Sequence, residues 1–446
     1  MIPPRSEICK EIFNCTTKFN SVLSRPHQAN LRELLLGAMI SGSSYLSDIG
    51  KVTSSRNCVR KNTERFSQSL FKLPTDKMIR INAASLATRF KNEPVLIILD
   101  GGDVQKKYAR EMENLCVAPD GSNKHEAGNG YCTFGAMAYG LESKNIAPLY
   151  HHLYSFESED FKSQSLEQQA MIKLIEPFYR GSTQDRIIVE DRGGDDVKKF
   201  LYYTQELGCG FIIRLNAGKK SRLLQVDNSE GEKADNKFSV RTLADSLKNV
   251  AGNSRSYRNK KLKKKLTSRI AYRAVTIPGH PDLPLNLVCI YTDGFDEPFC
   301  LITDRKIKSA DDAWGVFFNY RRRWGIEVFF RESKQLFKLE KFLVRSFQKI
   351  RALVFILMLV YALLFHLKQK IQDLLSLDVY ALFVNYCKKD YQKKPEDITS
   401  FDLLHWLRDA VFTRLGHFRF WGVKSRRKPY RKPKSQPNNS SKSKKW

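Results

Sequence analysis

Short apolar runs that end abruptly on acidic residues punctuate the middle of the chain. Val95 to Leu99 (VLIIL) is a continuous apolar run of strand length, and it ends at Asp100, Gly101, Gly102 and Asp103. That pattern predicts a buried strand delivering a carboxylate at its C-terminal tip. Tyr131–Tyr139 and Ile146–Tyr154 read as two further strands, and Gln164–Tyr179 as a helix. Arg186–Val189 (RIIV) is another short strand, running into Glu190, Asp191, Arg192, Gly193 and Gly194. Asp195–Leu207 then reads as a helix and Gly210–Leu215 as a strand. The order β-β-β-α-β-α-β places Asp100 and Asp191 beyond strand ends, where ligands gather in such sheets. Each aspartate alone is a common turn residue.

The flanking regions have other textures. Residues 1 to about 90 look helical and basic. Asn30–Met39 is a short amphipathic helix, and Asn57–Lys72 sets Val59, Thr63, Phe66 and Leu70 on one side with Arg56, Arg60, Lys61 and Arg65 elsewhere. Small helices with a basic outer face fit a DNA-reading domain, and equally a helical cap with a solvated face. Residues 216–309 are polar and turn-rich, with extended stretches at Tyr272–Ile277, Leu285–Tyr291 and Pro298–Ile302. Within them Arg255–Arg273 holds nine Lys/Arg and no acid, either an exposed linker or a strip lying against a phosphate backbone. Ala352–Phe365 is continuously apolar but shorter than the 18 to 20 residues about needed to span a bilayer, so a buried core helix is expected. The last 25 residues, Gly422–Trp446, hold ten Lys/Arg and no acid and read as a disordered basic tail.

The densest chemistry lies in Tyr320–Lys334 (YRRRWGIEVFFRESK). On a regular helix of about 100° per residue, Arg323, Glu327 and Lys334 fall roughly 300°, 340° and 320° from Tyr320, an arc of about 60°. One face would carry a carboxylate between two cations and a phenol, which suits holding a metal ion while gripping phosphate oxygens. A solvated i,i+4 ion-pair surface has the same composition. Against it, the surrounding Phe317, Phe318, Trp324, Ile326, Val328, Phe329, Phe330, Leu336 and Phe337 spread around most of the circumference. A helix apolar nearly all round is buried, and a buried glutamate needs a partner or a metal.

Composition adds a partner. The chain of 446 residues has 76 Lys+Arg against 47 Asp+Glu, a formal charge of +29, which favours a polyanion, nucleic acid ahead of an acidic membrane. A membrane-surface role is disfavoured because the basic segments lack an apolar face. The nine cysteines are scattered with no Cys-x-x-Cys pair, neither a disulfide framework nor a zinc site, and imply a reducing cytosol. The N-terminus has no long apolar run and does not read as a signal peptide.

With LIILDGGDVQKKYA, VEDRGGDD and the spacing Y-x2-R-x3-E-x6-K in view, the chain resembles DDE transposases of bacterial insertion sequences, specifically the insertion-sequence-4 type with a Y-R-E-K helix, over about residues 94–345. The resemblance implies an α/β, RNase H-like mixed sheet with flanking helices and a β-rich insertion between the second aspartate and the glutamate. The expected organisation is a helical, DNA-binding domain at 1–92, a catalytic core begun at 93–215, an insertion at 216–309, core completion at 310–421 and the tail at 422–446. Asp100, Asp191 and Glu327 would be the catalytic and metal-holding triad. Tyr320, Arg323 and Lys334 would hold DNA phosphates, and Trp324 is a candidate for stacking on an extruded base. Relatives often carry Thr or Ser two residues after the first aspartate, where this chain has Gly102, and the insertion here has no tryptophan.

The implied chemistry needs oxygen ligands and cations. Two Mg²⁺ ions (Mn²⁺ substituting) about 3.5–4 Å apart would activate the attacking water or 3′-hydroxyl and stabilise the leaving oxygen. Arg323 would grip phosphate by a forked contact and Lys334 as a point charge. The implied activity is metal-dependent cleavage and transfer of double-stranded DNA by a homodimer on element ends, in the bacterial cytoplasm with the nucleoid. Two other readings stay open: a catalytically silent DNA-binding protein derived from a transposase, and a metal nuclease that cuts without joining.

Overall fold

The computed structural model describes residues 5–53, 58–121, 126–218, 221–226, 237–259, 264–374 and 400–406. Five helices come first: α1 (Arg5–Thr17), α2 (Arg25–Ser41), α3 (Leu46–Thr53), α4 (Val59–Lys72) and α5 (Thr75–Arg89). The first half of the sheet follows as β1 (Val95–Gln105), β2 (Cys116–Pro119), β3 (Ala127–Gly140) and β4 (Ile146–Tyr154), then α6 (Gln164–Leu174), α7 (Glu176–Tyr179), β5 (Arg186–Glu190), α8 (Val197–Leu201) and β6 (Gly210–Arg214). β7 (Leu223–Gln225), β8 (Lys237–Ser239), α9 (Val240–Leu247), β9 (Gly252–Asn259), β10 (Lys264–Ile277), β11 (His280–Thr292) and β12 (Phe299–Thr303) come next. The chain continues through α10 (Ala310–Arg321), α11 (Trp324–Leu336), α12 (Phe347–Leu374) and α13 (Ser400–Trp406).

β1 organises the site. It runs antiparallel to β3 along its whole length, from Val95↔Gly140 to Gln105↔Gly130. Its parallel ladder with β5 stops at Ile98↔Val189. β4 lies antiparallel to β3 and β6 parallel to β5. β12 pairs antiparallel with β6, so the strands from 216–309 extend the same mixed sheet through β11 and β10.

Several elements differ from the sequence expectation, among them the helix expected over Gln164–Tyr179, which breaks at Ile175 into α6 and α7. β1 does not end at Leu99: Gly101 and Gly102 look like a turn, but β3 supplies ladder partners through Gln105. The helix expected over Asp195–Leu207 splits into α8 and a π-helical turn at Tyr202–Glu206. The helix expected to carry Tyr320 through Lys334 is jointed. Arg322, Arg323, Gly325 and Ile326 donate backbone hydrogen bonds to carbonyls three residues back, and such tight turning advances about 120° per residue rather than 100°. Tyr320 therefore lies in the last turn of α10, while Glu327 and Lys334 belong to α11.

The long apolar helix α12 is a wall of the core. Phe347–Leu367 is long and apolar enough to cross a membrane, but 78% of that window is buried inside the protein. α12 packs on β4, α2 and α4. One large hydrophobic core runs from the N-terminal helices through it to the sheet, with a small second cluster of Cys116, Ala118, Cys132 and Tyr154 beside it. The basic tail at 422–446 and residues 260–263 of the basic run lie outside the described residues.

Candidate active site

Asp100 stands two residues beyond the last parallel rung between β1 and β5, on a stretch of β1 that only β3 flanks. The surface there is kept flat by glycine. A Cβ at Gly135, the β3 partner of Asp100, would lie 2.6 Å from the Phe330 ring, and one at Gly102 would lie 3.4 Å from that ring and 2.9 Å from Thr133 Oγ1. Gly102 thus leaves room for the Thr133 hydroxyl and for Phe330, and α11 can close on the sheet.

Asp191 follows the last residue of β5 and caps a one-turn 3-10 helix, its Oδ1 accepting from Gly193 N at 2.9 Å. The preceding Glu190 is buried in a cage: Gln168 Nε2 at 2.9 Å, Lys199 Nζ at 2.7 Å and Tyr203 Oη at 2.8 Å all donate to it. Sequence reasoning passed over this cage, although a glutamate directly after RIIV is the signal for a buried strand-end acid. The π-helical turn brings Tyr203 to it.

Arg323, at the joint between α10 and α11, draws the third acid in. Its Nη1 donates to Asp100 Oδ2 at 2.5 Å and its Nη2 donates to Glu327 Oε1. Burial pushes the Asp100 carboxyl up to about 7; Arg323 opposes that shift, while the Asp191 and Glu327 charges add to it. Burial works against the charge on Arg323, yet Asp100, Tyr320, Glu327 and Asp191 hold its guanidinium above its ordinary range. Tyr320 is buried against Phe299, ring centroids 5.3 Å apart. Burial raises its phenol, and Arg323 and Arg214 pull it back. Asp100, Asp191, Glu327, Tyr320 and Arg323 therefore share one electrostatic neighbourhood. Arg214, at the end of β6, is a further cation there that the sequence pattern did not single out.

Lys334 is paired with other acids, and Trp324 faces solvent. Lys334 Nζ is 3.0 Å from Asp103 Oδ2 and 3.0 Å from Glu340 Oε1. Trp324 is 43% exposed. The acids neighbouring the aspartates have other work: Asp195 accepts from Arg222 at 2.6 Å, and Asp196 caps α8 through Lys198 N at 3.0 Å.

Asp100 and Glu327 already converge on one positive charge, and carboxylates are the donors a hard cation such as Mg²⁺ takes. Mg²⁺ binds through one or two carboxylates and keeps several waters, so this donor set fits it. Among the described residues, no three His, Cys, Asp or Glu side chains gather closely enough to hold one ion.

The Transposase DDE domain family matches residues 151–363. No curated protein matches the chain. The transposase DDE-domain match contains Asp191, Tyr320, Arg323, Glu327 and Lys334, whereas Asp100 lies N-terminal to it. It points to transposase function, and to the divalent-metal chemistry general to such domains.

Proposed function

We propose that this protein is the transposase of a bacterial insertion sequence, of the insertion-sequence-4 type with a Y-R-E-K motif, and that it cuts DNA at the element's ends and joins them to a target. The observation that carries the reading is the charge cluster in which acids from β1, from the end of β5 and from α11 surround Arg323 beside Tyr320. Mere binding of a polyanion gives no reason to set three carboxylates around one guanidinium.

The core is read as RNase H-like, a reading supported by the strand order β4-β3-β1-β5-β6, in which β3 is antiparallel to β1 and β4 while β5 and β6 run parallel to β1. Asp100, Asp191 and Glu327 would hold two Mg²⁺ ions, or Mn²⁺ in their place. Those ions would supply activation of a water or 3′-hydroxyl and stabilisation of the leaving oxygen. The Arg323 guanidinium would turn to a phosphate with a forked contact, and the Tyr320 hydroxyl would donate to the same group. Trp324, exposed at the start of α11, would offer its indole face to a base. Arg258, Lys265, Arg269 and Arg273, exposed on β9 and β10, would lie along the backbone of double-stranded DNA. The helices of residues 1–92 would take the element ends, and a homodimer would pair them.

The test is cleavage of DNA carrying the element's flanking end sequences with Mg²⁺ or Mn²⁺, comparing wild type with Glu327→Gln. Metal-dependent cutting at the boundary, lost in the variant, is the expected result. Salt-sensitive binding without cutting in either protein would favour a silent DNA-binding protein instead. Cutting that persists in Glu327→Gln would remove Glu327 from the triad.

A further inference from the structure

The turn that carries Asp191 is tied to the Glu190 cage through one lysine. Lys199 Nζ, on α8, donates to Glu190 Oε1 at 2.7 Å and to the Gly193 carbonyl at 3.0 Å. Gly193 N in turn donates to Asp191 Oδ1 at 2.9 Å. An ammonium has three donors, and two of them are committed here, one to the cage and one to the residue that grips Asp191. The turn also rests directly on the cage, because a Cβ at Gly194 would lie 2.7 Å from Glu190 Oε2.

The cage is a firm anchor for such a tie. Glu190 is the last residue of β5 and pairs with Ile213 of β6, so its backbone belongs to the sheet. Its side chain is 6% exposed and accepts from Gln168 on α6 and from Tyr203 as well as from Lys199. Burial and the Glu190 charge hold the Tyr203 phenol well above its ordinary range, which keeps it a donor. Satisfying the buried acid does not require Lys199 to reach the Gly193 carbonyl; that second contact joins the sheet to the turn. Asp191, held through Oδ1, acts electrostatically on both Asp100 and Arg323.

We propose that Lys199 is a positioning residue: by fastening the Gly193 carbonyl to the Glu190 cage, it fixes the 3-10 turn that orients the Asp191 carboxylate for a divalent metal ion. The proposal rests on the reading of Asp191 as a metal-holding acid.

The experiment uses the full chain as Lys199→Met, Lys199→Gln, Asp191→Asn and the Lys199→Met/Asp191→Asn double variant. Leu70→Ala, in the buried face of α4, serves as a destabilised reference. Free Mn²⁺ is followed by electron paramagnetic resonance at a temperature well below every Tm, and Tm by calorimetry. Lys199→Met is expected to weaken Mn²⁺ binding by about ten-fold, the scale of a lost outer-shell partner. Lys199→Gln keeps a neutral donor and should lose less, and it supplies the same comparison where Lys199→Met does not fold. In the Asp191→Asn background, Lys199→Met should cost less than about two-fold more, because residues acting through one another do not add. Leu70→Ala should lower Tm and leave Mn²⁺ binding unchanged. Three results would overturn the proposal while leaving the metal reading intact: Mn²⁺ binding unchanged in the Lys199 variants, a loss that persists in full beside Asp191→Asn, or an equal loss in Leu70→Ala. An Asp191→Asn chain that binds Mn²⁺ as tightly as wild type would overturn both.

Discussion

Arg323 Nη1 lies 2.5 Å from Asp100 Oδ2, so one guanidinium at the joint between α10 and α11 is fastened to β1 across 223 positions of sequence. It is the main opposition to the upward shift that burial imposes on that carboxyl, which already sits at about 7. Replacing Arg323 by Gln removes a charge that favours the ionised acid. Asp100 should then ionise only at higher pH, and the acid limb of the metal-dependent cleavage profile should move upward. An acid limb that stays in place or moves down would show that Arg323 does not govern this carboxyl.

The Glu190 cage predicts a stability effect next to the site. In Glu190→Gln the partly buried Lys199 loses its buried anionic partner, and breaking such a pair costs about 3 kcal/mol. Tyr203→Phe removes one hydrogen bond to the same carboxylate and should cost about 1 kcal/mol. Denaturant unfolding measures both. A Glu190→Gln loss smaller than that of Tyr203→Phe would contradict the cage.

The flat seat under α11 gives a packing prediction. Alanine at Gly135 would place a methyl 2.6 Å from the Phe330 ring, and overpacking of this kind costs about 1–3 kcal/mol. Phe330→Leu in the same chain should recover part of that loss. Unfolding free energies that simply add would contradict the contact.

The legible parts of the fold were the bounded apolar runs. Ile146–Tyr154 and Arg186–Val189 announce strands because turn-forming residues stop them on both sides, and β4 and β5 follow them closely. The continuation of β1 past Asp100 was hidden, because Gly101 and Gly102 carry a local turn signal and only the distant β3 keeps the strand straight. The joint at Arg322–Ile326 was hidden for a related reason: i→i−3 bonding leaves no mark on side-chain spacing. In the site, the placement of Asp100 and Asp191 at run ends could be read directly. Lys334 could not be placed, since its partners Asp103 and Glu340 are set by tertiary packing.

His151 predicts a pH dependence of folding. It is buried on β4 between Phe329 and Phe330, ring centroids 5.3 and 5.2 Å away. Burial, with Lys334 and His152 adding, lowers its imidazole to about 3. The unfolded chain binds this proton near pH 6.5 and the folded chain only near 3, so stability should fall as pH drops through that window. His151→Leu should flatten the slope there by about one proton. Urea unfolding at pH 7.5, 6 and 5 measures it, and an unchanged slope would contradict neutral burial of His151.

The central claim of the proposed function is that Asp100, Asp191 and Glu327 together hold the metal ions. Fe²⁺ with ascorbate cuts a polypeptide backbone near the bound ion, so it reports which segments surround that ion. The account predicts chain cuts clustered around positions 100, 191 and 327, suppressed together by excess Mg²⁺. Cuts confined to one of these segments, or insensitive to Mg²⁺, would contradict it.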